Sequence, residues 1–161
     1  MIIILSVLFS ASCGTDSKLT AKFSVKNTSV NGVKIGDPAD ESYEISGEGE
    51  SKKRVKKDGG ATFAALEGAT EVQIISCEFG ANPAPEVIIN GKQITTVDEA
   101  LDALGDPDRS GVNELDGGVK HRVLNYFNDG ERMALTLSYY EYPDGSRELA
   151  RLTLVGYPEG Y

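Results

Sequence analysis

Thr96-Val-Asp-Glu-Ala-Leu-Asp-Ala-Leu-Gly-Asp-Pro107 is the stretch on which the fold turns, because it reads as a short helix with a physical marker at each end. Thr96 followed three residues later by Glu99 makes a capping box, in which each side chain satisfies a backbone N–H that the first turn leaves unpaired. Val97, Ala100, Leu101 and Leu104 then recur at helical spacing and form a single apolar stripe. Gly105 suits the left-handed position after a helix, and Pro107 prevents continuation.

A stripe that narrow must be buried against something, and the sequence downstream supplies it. Three strand-like runs follow, at about Lys120 to Phe127, Arg132 to Tyr140 and Arg147 to Val155, separated by Asn128-Asp-Gly130 and Pro143-Asp-Gly145. Met133, Leu135, Leu137 and Tyr139 share one face of the middle run, and Leu152 and Leu154 share one face of the last. The pattern predicts an antiparallel meander with the helix packed on it through Leu101 and Leu104. Ser110 to Gly118, polar and rich in glycine, reads as a solvated loop.

Upstream, Glu86 to Ile89 is a short strand with a turn at Asn90-Gly91, and Asn82-Pro-Ala-Pro85 is the natural internal boundary, since two prolines remove donors and bias their predecessors to extended backbone. Residues 19–85 read as a β-rich N-terminal half. It contains an alternating run at Leu19 to Val25, a tight Asn-Gly reversal within Val30 to Val33, strands at Tyr43 to Ser46 and Val72 to Phe79, and either a strand or a turn of helix at Ala61 to Leu66. Val30-Asn-Gly-Val-Lys-Ile aligns with Ile89-Asn-Gly-Lys-Gln-Ile at an offset of 59 residues, which suggests a divergent tandem repeat. The expected class is α+β: an antiparallel meander with one short helix in residues 86–161, preceded by the β-rich half.

The chain has 161 residues and a formal net charge of -9, from 16 Lys and Arg against 25 Asp and Glu. That size suits one domain or two very small ones. The acidic balance excludes nucleic acid as the expected partner, because phosphate binding draws on clustered cations.

Met1 to Phe9 is apolar except for Ser6 and is too short to span a bilayer, but long enough for the apolar core of an export signal. Small residues follow at Ser10, Ala11 and Ser12, then Cys13. This run resembles the lipobox of bacterial lipoproteins, which implies residues 1–12 as signal peptide, a diacylglyceryl group and palmitate-type acylation on Cys13, and residues 13–18 as a tether. No Lys or Arg precedes the apolar run, so a positive segment further upstream is expected. The expected localisation is the bacterial cell envelope, with the membrane as a partner through the lipid on Cys13.

Several motifs bear on chemistry. Cys77 and His121 are the components of a nucleophile pair, yet no third orienting motif accompanies them, and the bland reading of Cys77 is a small buried hydrophobe. Asp106, Asp108, Ser110 and Glu114 fall at the first, third, fifth and ninth positions of a calcium-loop template, but Gly117 stands at the twelfth, where a bidentate Glu belongs. Calcium is therefore the alternative and a solvated loop the preferred reading, with no metal expected. Lys52-Lys-Arg-Val-Lys-Lys57 is either a surface for anionic partners or a strand edge kept soluble by lysines, and the second is favoured. No cofactor motif is recognisable. Tyr139 and Tyr140 must alternate, so Tyr140 and Tyr142 are expected to face outward as binding residues.

From Ile94 to Val155 the chain resembles the small lipoprotein domains of the SmpA type and the β-lactamase-inhibitor-like fold. The residues that carry the likeness are the helix Val97 to Leu104 running into Leu104-Gly-Asp-Pro-Asp108, Tyr126-Phe127 and the turn at Asp144-Gly145. The resemblance implies a non-catalytic module that binds a protein or peptide at the envelope and carries no cofactor. The alternatives are a protein inhibitor of a secreted hydrolase and, third, an enzyme of unknown reaction.

Overall fold

A computed structural model describes residues 22–48 and 52–157. Eleven strands and one helix are assigned among them: β1 (Ser29–Val30), β2 (Glu44–Ser46), β3 (Lys53–Asp58), β4 (Ala61–Leu66), β5 (Ile74–Glu78), β6 (Val87–Ile89), β7 (Lys92–Gln93), α1 (Val97–Leu104), β8 (Arg109–Glu114), β9 (Lys120–Asn128), β10 (Met133–Glu141) and β11 (Arg147–Gly156). All pairings are antiparallel.

Eight strands make one sheet in the order β2-β3-β4-β5-β11-β10-β9-β8. The strands on either side of the Pro83–Pro85 stretch thus form two four-stranded meanders that meet at β5 and β11, and the sheet runs through without a break. At the seam Ser76 stands opposite Thr153, with their hydroxyls 3.3 Å apart. The remaining three short strands form a second sheet, β1-β6-β7, in which Ser29 faces Ile88. Both Asn-Gly reversals have the positive φ angles of a two-residue hairpin turn: Asn31 and Gly32 at 48° and 77°, Asn90 and Gly91 at 53° and 77°.

Register sorts the large sheet into two unlike faces, since successive side chains in a strand point to opposite sides. On one face Phe63, Ile75, Cys77, Leu152, Leu154, Leu135, Leu137 and Tyr126 are buried, and they form one core with Val97, Ala100 and Leu104 of α1 and with Val30, Val87 and Ile89 of the small sheet. The helix lies against β11 and β6. Tyr126 ties its C-terminal end to the sheet, donating its hydroxyl to the Gly105 carbonyl oxygen at 3.2 Å. Asn90 does more than turn the chain: its amide donates to the Lys22 and Ala103 carbonyl oxygens and its oxygen accepts from the Ser24 N–H, which fastens the entering chain to the end of the helix.

The helix starts and stops where the sequence places it. Thr96 accepts from the Glu99 N–H, and the Glu99 carboxylate accepts from the N–H groups of Thr95 and Thr96. Those donors, the Thr95 N–H first among the causes, hold the Glu99 carboxyl below the usual glutamate range. Gly105 follows with a φ of 70°. The docking face, however, is Val97, Ala100 and Leu104, while Leu101 is only partly buried. The stripe is one position broader than the surface that covers it, and the smallest residue sits at the closest approach.

Two other expectations need correction, and one open alternative is decided. Lys22 to Val25 is not a strand; the chain makes a single turn of 3-10 helix at Val25–Asn27, and the Phe23 carbonyl oxygen is held by the Asn128 amide at 2.7 Å. Ser110 to Gly118 is not a loop, because Arg109–Glu114 pairs along its length with β9 and only Asp116–Gly118 turns. Ala61–Leu66 resolves as a strand, entered from Gly59 and Gly60 at φ 49° and 72°. A Cβ on Gly60 would stand 2.3 Å from the Ala81 Cβ, so this hairpin accepts no side chain there.

Stability measurements follow directly. In urea unfolding Leu104→Ala should cost about 2 to 5 kcal/mol, Thr96→Ala about 1 kcal/mol, and Leu101→Ala distinctly less than Leu104→Ala. Because the folded Glu99 pKa is depressed, its contribution is complete above the unfolded carboxylate value and is lost as pH falls through the folded one. Glu99→Gln should therefore reduce stability at pH 7, and its effect relative to the parent should shrink as pH falls through the folded Glu99 value, below the usual glutamate range.

Candidate functional site

The opposite face of the eight-stranded sheet carries no helix and no second sheet among the described residues. Cross-strand partners assign its side chains: Thr62 and Ala64 from β4, Ile74 and Ser76 from β5, Thr153 and Val155 from β11, Ala134, Thr136, Ser138 and Tyr140 from β10, and His121, Val123, Asn125 and Phe127 from β9. The middle of this face is small and uncharged. Ala64, Ala134 and Ser138 are nearly buried although no helix or sheet among the described residues covers them, and neither alanine belongs to the main core. Larger neighbours shade them, so the face is partly dehydrated before anything binds.

One end of the face deepens into an open depression of about 520 Å3, lined by His121, Ser138, Tyr140, Glu78, Glu148 and Arg151 with Gly80, Ala81, Leu149 and Ala150. Its shape comes from an irregularity in the β10–β11 ladder. The register slips between Ser138 and Tyr139, so that Ser138 faces Arg151 while Tyr139 faces Leu149. The extra residue, Ala150, turns its carbonyl oxygen to the Phe79 N–H at 3.1 Å. A β-bulge of this kind bends its strand and re-aims the side chains around it.

In the depression the His121 and Tyr140 rings lie 5.1 Å apart, tilted by 36°. Arg151 donates to Glu78 at 2.5 Å across the seam between β5 and β11. The Tyr142 hydroxyl donates to Glu148 at 2.9 Å. Tyr140 and Tyr142 are both half-buried and flank the same end of the sheet, while Tyr139 is in the core, as alternation requires. The arrangement places aromatic area, an imidazole, the paired Arg151 and Glu78 and the Glu148 carboxylate at one surface.

The pairings proposed for chemistry are not assembled. Cys77 opposes Leu152 on the core face, whereas His121 opposes Tyr140 on the open one, so the sheet itself separates them. Burial pushes the Cys77 thiol up to about 12, which keeps it protonated at neutral pH. The calcium alternative at Asp106, Asp108, Ser110 and Glu114 fails for a different reason. A calcium loop folds its ligands inward, but Ser110 and Glu114 lie along an extended, exposed strand. Asp108 is already engaged, paired with Lys22 at 3.3 Å and accepting from the Phe127 N–H at 2.8 Å. Among the described residues no group of three or more His, Cys, Asp or Glu side chains could hold a metal.

The basic run is strand β3, and alternation divides it. Arg54 donates to the Ala69 carbonyl oxygen and Lys56 lies over the Tyr43 ring, both on the core side, while Lys53, Val55 and Lys57 take the open side. Five charges adjacent in sequence therefore do not form one patch. Cys13 lies outside the described residues, and no helix among the described residues is long and apolar enough to cross a membrane. The bulge at Ala150 and the depression it opens left no mark that sequence reading used; the nearest signal was the run Arg147-Glu-Leu-Ala-Arg-Leu152, where apolar residues change phase from Leu149 to Leu152.

Compared with models of known families, with curated proteins and with solved structures, the chain matches none. The buried thiol gives a direct check on the sheet geometry. Cys77 should stay unreactive toward a disulfide reagent at pH 8 in the native protein and react fully in urea; rapid native labelling would mean that the core face is open.

Proposed function

We propose that the chain is an exported lipoprotein of the cell envelope, anchored through Cys13, that binds a protein partner on the open face of its sheet and performs no reaction of its own. The observation that carries this reading is the face itself: broad, poor in charge at its centre, already partly dehydrated, and ending in a depression where the His121 and Tyr140 rings lie beside Glu148 and the paired Arg151 and Glu78. Sheet faces in stable proteins are ordinarily covered on the apolar side and wetted on the other by charged residues. A wetted side whose middle is built of Thr, Ser, Ala and Val suits a protein surface, where desolvation costs little and tyrosine contributes contact area at small entropic loss.

The tandem-repeat reading belongs to the same proposal and is supported by the topology. Aligning Val30 with Ile89 makes Ser29 equivalent to Ile88, and these two residues face one another in the small sheet. In the large sheet β2 to β5 run inward from one edge as β8 to β11 run inward from the other. Two copies of a short strand, a turn and a four-stranded meander, related by a dyad at Ser29/Ile88 and at Ser76/Thr153, produce that order. The first copy, residues 19–85, has a bend where the second, residues 86–161, has α1. The resemblance to SmpA-type and β-lactamase-inhibitor-like domains implies the same role, binding without chemistry.

Two experiments test the reading separately. Mass spectrometry of the protein from its native membrane should recover a chain starting at an acylated Cys13, and an unmodified Cys13 in a chain that retains Met1 would refute the anchor. Capture of a partner from envelope extract by the parent chain should fall at least tenfold, about 1.4 kcal/mol, when Tyr140 and Tyr142 are both replaced by Ala, with the thermal midpoint nearly unchanged. Undiminished capture by that folded variant would remove the depression from the interface.

A further inference from the structure

Among the described residues five large apolar side chains are exposed, and three of them, Ile45, Leu66 and Tyr157, stand at one end of the large sheet. Their common level follows from the pairing. Leu66, at the end of β4, faces Lys53 at the start of β3, which faces Ser46 at the end of β2. Beyond β5, Gly156 at the end of β11 faces Met133, which faces Asn128 at the end of β9. Gln73 links the two sets: its side-chain oxygen accepts from the Leu66 N–H at 3.1 Å and its carbonyl oxygen from the Gly156 N–H at 2.8 Å. Ile45 is the most exposed of the five, at 67%.

The chain enters at this same end. The Asn128 amide holds the Phe23 carbonyl oxygen at 2.7 Å, and Glu131 accepts from the Val25 N–H at 2.7 Å. Lys22 is nine residues on from Cys13, a reach of about 30 Å at full extension. Strands β9 and β10 are nine residues each, also about 30 Å long. A lipid on Cys13 therefore favours the entry end at the bilayer, because turning the opposite end there would stretch the tether along the whole sheet with no slack.

We infer that this end of the sheet is a lipid-contact surface, with Ile45, Leu66 and Tyr157 in the headgroup region of the bilayer that holds Cys13. The inference rests on the proposed anchor and adds an orientation to it. Ile45 and Leu66 share a hollow of about 420 Å3 with Lys52, Lys53, Arg54 and Glu67, three cations to one carboxylate on a chain of net charge -9. Lysine stems cover apolar surface while their ammonium groups reach phosphate, and a tyrosine ring suits the membrane interface. At the opposite corner the carboxylates are engaged, Asp108 with Lys22 and Glu131 with the entering backbone. The contact is small, but the anchor keeps the body at high local concentration beside the membrane, where a few buried apolar groups suffice to orient it. Tyr140, seven residues along β10 from Met133, then stands about 23 Å further out, and the depression is turned away from the lipid.

The chain contains no Trp, so a single introduced one reports its own surroundings. The test uses the full chain taken from its native membrane and reconstituted in phosphatidylcholine vesicles with about one-fifth phosphatidylglycerol, carrying Ile45→Trp, Leu66→Trp or Val112→Trp. All three sites are exposed, but Val112 faces Arg122, about 20 Å from this end. Brominated lipid should quench Trp at positions 45 and 66 about threefold more strongly than at 112. Equal quenching at the three positions, or most at 112, would overturn the inference. In a Tyr157→Trp chain, Ile45→Asp with Leu66→Asp should leave the thermal midpoint nearly unchanged and remove most of the quenching at 157; undiminished quenching there would also overturn it. Association in solution that the same pair abolishes, without quenching by lipid, would assign this end to a second copy instead. The mass spectrum of each preparation reads the anchor separately. An acylated Cys13 with equal quenching refutes the orientation alone, and strong quenching at 45 and 66 in a chain with unmodified Cys13 supports the surface and refutes the anchor alone.

Discussion

The rest of the structure depends on the antiparallel seam between β5 and β11. Each four-stranded meander alone presents one apolar face and two edges, and neither half has enough covering structure to bury its own core. Pairing Ile74–Glu78 with Arg151 to Val155 removes one edge from each half and brings Ile75 and Cys77 into register with Leu152 and Leu154. Only then does a continuous apolar surface exist on which α1 and the small β1-β6-β7 sheet can lie together. The small sheet repeats the device, since Ser29–Val30 and Val87–Ile89 come from opposite halves of the chain. Two cross-half pairings therefore hold one core, and the proline-rich stretch between the halves is a bend in the chain, across which both sheets pair.

Once the seam is set, strand alternation allocates every side chain to one of two faces, and this constraint governs what the protein can do. It buries Cys77 beneath the helix side and leaves His121 on the open side. It divides the four cations of β3 between faces. The same rule gathers Tyr140, His121, Arg151 and Glu78 at one end of the open face, residues far apart in sequence with no motif to connect them. The bulge at Ala150 completes the arrangement by turning that end into a depression. The proposed binding role rests on this face because alternation and the bulge, not a sequence motif, assemble it.

Comparison with the sequence shows where local information sufficed. The helix bounds, its capping box, both Asn-Gly turns and the three C-terminal strands were legible because each is fixed within a few residues: a side chain capping the backbone beside it, a left-handed pair of φ angles, an unbroken alternation. Local reading failed where pairing is long-range. Arg109–Glu114 has the composition of a loop and becomes a strand because β9 offers an unpaired edge; Lys22 to Val25 has the alternation of a strand and does not become one, because Asn90, Asn128 and Glu131 take its backbone groups instead.

The sequence by itself determined the α+β class, the helix and its direction of burial, the meander that follows it, and the hint of repetition at a 59-residue offset, since these follow from periodicity, capping and turn chemistry. Only the tertiary structure decided that the two halves share one sheet, which face no described element covers, that Val97, Ala100 and Leu104 are buried more deeply in the core than Leu101, and which residues meet in the depression. The physical reason is that a strand's own sequence states which residues share a face, whereas its neighbour, its register and the bulges along it are set by contacts with residues remote in the chain, such as Ser76 and Thr153, 77 positions apart.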